Sequence, residues 1–128
     1  MRSLQDHNDQ SSIYRDEHLS VDFREQVATL DNQRLTLTRK EYDLLALMVQ
    51  HAGEIVPREA LLMRIWGYGA DIRTRTLDVH IRRLRKKLGV FAEQYIETIF
   101  GIGYRFQPFH APRFQQPALE RPSLAVSA

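Results

Sequence analysis

The apolar positions follow two successive rhythms. Leu19, Val21 and Phe23 stand at every second position, Val27 and Leu30 flank a threonine, and Leu35 and Leu37 alternate with Arg34 and Thr36. A period of two in such short runs, with Asp31-Asn32 as a hairpin-type turn pair, predicts a small antiparallel meander. The period then becomes helical. Leu44, Leu45, Met48, Val49 and Ala52 make one apolar stripe, the core face of an amphipathic helix. Thr38-Arg39-Lys40-Glu41 precedes it as a capping box, and Gly53 is a left-handed stop. Pro57 suits the first turn of a second helix, with Leu61, Leu62, Ile65 and Trp66 as its buried face and Gly67-Tyr68-Gly69 at its end. Leu77, Ile81, Leu84 and Leu88, spaced four-three-four, predict the core face of a third helix over about 74–88, ended by Gly89. Two β-like runs, YIETIF and YRFQP, meet at Gly101-Ile102-Gly103 and predict a closing hairpin.

Residues 1–17 are polar and carry no apolar period, which predicts a flexible leader. Residues 108–128 hold four of the five prolines and read as a disordered tail. The compact domain is then 18–107, without internal repeats. A length of 128 residues suffices for one core. With no cysteine, disulfide scaffolds, zinc-thiolate sites and cysteine nucleophiles are excluded. No apolar run approaches the ~18 residues of a membrane span, and the N-terminus lacks a signal-peptide stretch. The expectation is a soluble, cytoplasmic protein with no membrane association.

The net charge of +2 says little, but its distribution says more. Residues 1–72 carry 8 Lys/Arg against 12 Asp/Glu, whereas residues 73–88 carry 7 against 1. An acidic-leaning body therefore bears one basic segment, and it coincides with the third helix. With the leucine stripe inward, the outward face is expected to collect Thr76, Val79, His80, Arg83 and Lys87, flanked by Arg75, Arg82 and Lys86. Guanidinium forks bond bidentately to guanine edges or phosphates, and a valine offers apolar contact to a thymine methyl. A solvated charged face is the alternative for such a run in isolation. The cleanly spaced core positions, the three-helix order and the hairpin that follows favour a winged helix-turn-helix that binds nucleic acid.

LTLTRKEYDLLALM, REALLMRIWG, RTRTLDVHIRRLRKKLG and IETIFGIGYRF resemble the OmpR/PhoB-type output domain of bacterial two-component response regulators over about residues 18–107. The resemblance implies an α+β fold: an N-terminal antiparallel sheet, three helices and a C-terminal hairpin wing. It implies sequence-specific binding of double-stranded DNA, with the third helix in the major groove. Arg73, Arg75 and Thr76 would meet phosphate and base at the helix start. Val79, Arg82 and Arg83 would lie mid-helix, His80 and Lys86 or Lys87 would touch phosphates, and Thr98 would contact the backbone from the wing. The loop Gly67, Tyr68, Gly69, Ala70, Asp71 and Ile72 would face RNA polymerase or a neighbouring protomer. The domain would be monomeric alone and a tandem dimer on direct repeats. One position departs from the family pattern: Phe100 stands where an arginine commonly precedes Gly-x-Gly, so Phe100 packs on sugars or covers the core. Seventeen residues cannot form a receiver domain either, which points to an excised output domain with its receiver in cis, or to a natural single-domain relative.

Other classes fit less well. No phosphate loop, HExxH or GxSxG element is present, so no enzyme is expected and no cofactor or metal is called for. His18, Ser20 and Asp22 alternate like a catalytic cluster but read as a solvated edge-strand face. His51 suits a helix end, and Trp66 suits core packing better than an aromatic ligand site with Tyr68. Gly101-x-Gly103 is too short for dinucleotide binding. A stand-alone protein-interaction module and an RNA-binding domain remain as alternatives; RNA modules usually display stacking aromatics, which residues 73–88 lack.

Overall fold

The computed structural model describes residues 12–67 and 74–110. It opens with a four-stranded antiparallel sheet in the order β1 (Ile13–Arg15), β2 (Leu19–Asp22), β3 (Val27–Leu30), β4 (Gln33–Arg34). Leu19 pairs with Leu30 and Asp22 with Val27, so Leu19, Val21 and Ala28 all face the core and are buried. Asp31 and Asn32 take φ of 50° and 67°, the two left-handed positions that a tight hairpin demands. The last strand of the meander is Gln33–Arg34, not the Leu35–Leu37 run. Those leucines instead fold over the core as the chain enters α1 (Arg39–Gln50).

β1 lies inside the stretch expected to be leader. Its residues show no alternation, and what holds them is Asp16. The Asp16 carboxylate accepts the His18 and Leu19 amides at 2.9 Å, the Tyr95 hydroxyl at 2.7 Å, the Phe109 amide at 3.2 Å and the Tyr14 hydroxyl. The other boundary moves too: the Phe109 ring sits against Phe91, Tyr95 and His18. The compact unit thus exceeds 18–107 at both ends. The rest of the expected leader and tail, residues 1–11 and 111–128, lies outside the described residues. β2 is flanked by β1 and β3, so the edge-strand reading of His18, Ser20 and Asp22 is corrected. His18 pairs with Asp31 at 2.6 Å and stacks on Phe91.

The capping box forms as spaced: Thr38 Oγ1 accepts the Glu41 amide at 3.2 Å, and Glu41 Oε1 accepts the Thr38 amide at 2.9 Å. α1 ends at Gln50, three residues before Gly53, whose amide donates to Phe106 O at 2.8 Å and leads the chain into β5 (Ile55–Pro57). This strand has no sequence period of its own. Pairing with β7 (Gly103–Phe106) creates it, in a second sheet ordered β5, β7, β6, where β6 is Ile96–Ile99. Pro57 is the N-cap of α2 (Arg58–Trp66), not its first helical residue. In α2 only Leu61 is fully buried; Leu62, Ile65 and Trp66 are half-buried against the core. α3 (Thr74–Leu88) buries Leu77, Ile81, Leu84 and Leu88 almost completely. A 3-10 turn (Gly89–Phe91) and the short α4 (Ala92–Tyr95) join it to β6.

Three carboxylates tie these layers together, and each titrates low for the same reason. Burial pushes Asp16, Glu41 and Asp78 upward, but hydrogen bonds to the charged form outweigh it: from the Leu19 amide and two tyrosines to Asp16, from Lys87 and the Thr38 amide to Glu41, and from Tyr104 and Arg58 to Asp78. A carboxyl whose folded pKa is depressed contributes stability above its unfolded value and loses it as pH falls through the folded one. The melting midpoint should therefore hold steady down to about pH 5 and fall progressively below the ordinary values of 3.8 and 4.5. Thermal melts across this range check it, and a midpoint that rises on acidification would contradict it.

Candidate nucleic-acid interface

α3 presents its cations in two environments, set by their angle from the leucine stripe. At about 100° per residue, Val79 and Lys86 lie opposite the stripe, with Arg75, Arg82 and Arg83 beside them. Arg75, Arg82, Arg83 and Lys86 are exposed, and Val79 between them and Thr76 at the margin are half-buried. These are the residues the structure gathers on one open face.

His80, Arg85 and Lys87 sit closer to the stripe, and each is taken up by the fold. His80 Nδ1 donates to Thr76 O at 2.8 Å, and its ring meets Trp66 edge-on at 5.0 Å between centroids. It turns towards α2, not outward. Lys87 Nζ reaches the first turn of α1, where it meets Glu41 Oε1 at 2.6 Å, which corrects its expected place on the outer face. A carboxylate as buried as Glu41 requires a cationic partner, and Lys87 is it. Arg85, unassigned by the sequence reading, crosses to the wing, where it donates to Ile96 O at 2.9 Å and Thr98 Oγ1 at 2.7 Å. Its guanidinium also lies over the Tyr104 ring, 5.7 Å from the centroid. Its place one position after buried Leu84 was the signal available for that role.

Asp78, the one acid of the basic segment, stays exposed but has its charge answered by Arg58. Its Oδ1 accepts Arg58 Nη2 at 2.6 Å and the Tyr104 hydroxyl at 2.8 Å. The two braces, Arg85 to β6 and Arg58–Asp78–Tyr104 to β7, tie the basic helix to the hairpin at two points about two helical turns apart on one side of α3.

Thr98 accepts from Arg85, so its own hydroxyl proton remains available to an acceptor outside the fold. Glu97 pairs with Arg105 at 2.9 Å. Phe100 stands at the hairpin tip with 89% of its surface exposed, so the core-covering reading of this residue is corrected. Gly67 caps α2 with φ of 99°; Arg73 and the loop residues Tyr68, Gly69, Ala70, Asp71 and Ile72 lie outside the described residues.

Among the described residues no group of three potential metal ligands occurs, and no helix is long and apolar enough to cross a membrane. The site is an open cationic face on a braced helix, able to offer guanidinium forks, an ammonium, a hydroxyl and an apolar contact along one line.

Known proteins share the sequence pattern and the fold of this chain. The sequence profile of the family described as "Transcriptional regulatory protein, C terminal" matches residues 32–106. The transcriptional regulatory protein HprR of Escherichia coli K12 is 43% identical over 104 residues, which cover 80% of this chain and 47% of HprR. Response regulator DrrB of Thermotoga maritima, an OmpR/PhoB homologue, superposes with a TM-score of 0.71 at 29% identity, over 81% of this chain and 49% of DrrB. The DNA-binding domain of Klebsiella pneumoniae RstA, solved in complex with the RstA box, matches with a TM-score of 0.68 at 32% identity, over 76% of this chain and 98% of that domain. The chain spans about half the length of HprR or less of other curated relatives. It belongs to the OmpR/PhoB-type family of transcriptional-regulator C-terminal domains, the winged-helix output domains of response regulators, which is a transcription-factor family and not an enzyme family.

Proposed function

We propose that this chain binds double-stranded DNA sequence-specifically and regulates transcription as the output domain of a response regulator, with α3 in the major groove. The observation that carries this reading is the sorting of charge on α3. Four exposed cations share the open face, while the segment's single acid, itself exposed, and two further cations are each paired to groups on other elements. A merely solvated helix has no need of such segregation. Arg83 reads a base edge, Thr76 and Val79 contact the base pairs beside it, and Arg75, Arg82 and Lys86, with Arg73, meet phosphates. Thr98 donates its hydroxyl to a phosphate from the wing. A receiver domain in cis, RNA polymerase or a second protomer at residues 67–72, direct-repeat sites and a cytoplasmic location complete the proposal. They rest on the family and on the half-length match to its curated members.

The test is a mobility shift with duplexes selected by the chain from a randomised pool. With Lys87 and Arg85 committed internally, three or four phosphate contacts should give a log–log salt slope of about −3 to −4. Arg83→Ala should cost about 1–3 kcal/mol and relax preference at one base pair, whereas Lys86→Ala should weaken all sequences alike. A slope shallower than about −1, or equal binding of single strands and RNA, would remove α3 as a duplex-reading surface.

A further inference from the structure

The hairpin carries a feature that a cationic DNA-binding surface does not require. Its tip is apolar: Phe100 is 89% exposed and Ile102 50% exposed, side by side across Gly101. The flanking charges cancel in the Glu97–Arg105 pair, and Phe100-Gly101-Ile102 contains no cation. The tip thus has no side-chain cation to attract a phosphate.

The tip is nevertheless held in place. The Ile102 amide donates to Ile99 O at 2.9 Å, and the Ile102 carbonyl accepts the Arg58 amide at 2.9 Å. Arg58 then reaches Asp78 on α3, while Arg85 on α3 grips Ile96 and Thr98 on the wing. Two separate braces thus set the apolar tip at a fixed offset from the basic face. Exposed aromatic surface held rigidly beside a binding surface marks a contact site. Continuity with the DNA-reading helix selects its occupant. With α3 in the major groove as proposed above, a hairpin locked to its flank would lie over the neighbouring backbone and minor groove. The surfaces there that suit a phenyl ring are sugar edges and base faces.

We propose that Phe100, backed by Ile102, is an apolar wedge that enters the minor groove beside the α3 site and opens one base step. This rests on the DNA reading above and adds a second specificity element to it. Pyrimidine–purine steps (TA, CA/TG) unstack most easily, and apolar side chains that part base steps kink the duplex and bring more protein surface into contact. The flank is therefore chosen by deformability and not by charge.

The experiment uses the whole chain and duplexes it selects from a randomised pool. The wild-type protein should enrich a core motif with a TA or CA/TG step at a fixed distance on one side. Phe100→Ala should enrich the same core without that step and bind the wild-type-selected duplex about tenfold more weakly. A 2-aminopurine placed at the step should brighten on binding wild type and stay dark with Phe100→Ala, while Phe100→Leu keeps part of the signal. The melting midpoint of Phe100→Ala should match wild type, which separates lost contact from lost fold. Phe100→Arg should exchange the flexible-step preference for A-tracts and steepen the salt slope by about one unit. An unchanged flank preference, a dark fluorophore with wild type, or a uniform loss on all duplexes in Phe100→Ala would overturn the wedge. Failure of the wild type to enrich any duplex is a different result, which overturns the DNA reading and the wedge with it.

Discussion

Gly103→Ala is expected to destabilise the domain by at least about 3 kcal/mol, beyond the usual range for an added methyl group in a packed interior. Gly103 is buried at the start of the central strand of the second sheet, opposite Pro57 and Ile99. A methyl group there would stand 2.1 Å from Val56 O and 2.9 Å from Pro57 Cα. Both obstructing atoms are backbone, so no rotamer change relieves the clash, and β5 must leave β7 or the hairpin must shift. Gly101→Ala is the natural control. Its φ of +79° disfavours a side chain, but the space around it is open, and the penalty should be only about 1–2 kcal/mol. Urea denaturation of both variants measures the contrast. Equal small losses would mean that β5 yields freely and that the second sheet is not the support of the wing.

The second large effect is expected at the far end of α3. Lys87→Met keeps the length of the stem and removes the charge that answers Glu41. Breaking a buried pair by deleting one partner costs about 3–5 kcal/mol. Lys87 retains 34% of its side-chain exposure while Glu41 has 2%, so screening on the lysine side lowers the expectation to about 2–3 kcal/mol. The effect extends to α1, because the same oxygen of Glu41 also accepts the Thr38 amide in the capping box. Glu41→Gln combined with Lys87→Met should cost less than the sum of the single changes. The salt slope of DNA binding should not move in Lys87→Met. A stable variant whose slope flattens by about one unit would return Lys87 to the DNA-facing set.

The legible parts of this molecule are those whose determinants are local. The four-three-four leucine spacing of α3, the Thr38–Glu41 box and the Asp31-Asn32 turn each state their geometry within a few residues, and each forms as read. β1 and β5 were illegible because neither has a pattern of its own. Three residues of β1 are held by β2 and by Asp16, and three residues of β5 exist as a strand only because β7 lies alongside. The same limit divides the candidate site. Arg75, Arg82, Arg83 and Lys86 are exposed as their distance from the stripe requires. His80, Arg85 and Lys87 lie at its margins, where position on the helix does not decide between solvent and neighbour. For Lys87 the deciding group is Glu41, 46 residues earlier in the chain; for Arg85 it is Thr98 on the wing. A helical wheel contains neither.

The Asp16 carboxylate imposes an order in time as well as in space. Two of its hydrogen-bond donors, the Tyr95 hydroxyl and the Phe109 amide, lie 79 and 93 positions further along the chain. Closing loops of that size carries an entropy cost that grows with the logarithm of their length, and contacts of such separation slow folding relative to neighbouring ones. As the polypeptide leaves the ribosome, β2 and β3 can pair as soon as their turn is synthesised. The first strand has its pairing with β2 and the local contacts of Asp16, but lacks the Tyr95 and Phe109 donors until those residues have emerged. Residues near the end of the compact unit thus finish the binding of the first strand, and a nascent chain halted before Phe109 would present a sheet whose outer edge still lacks part of its support.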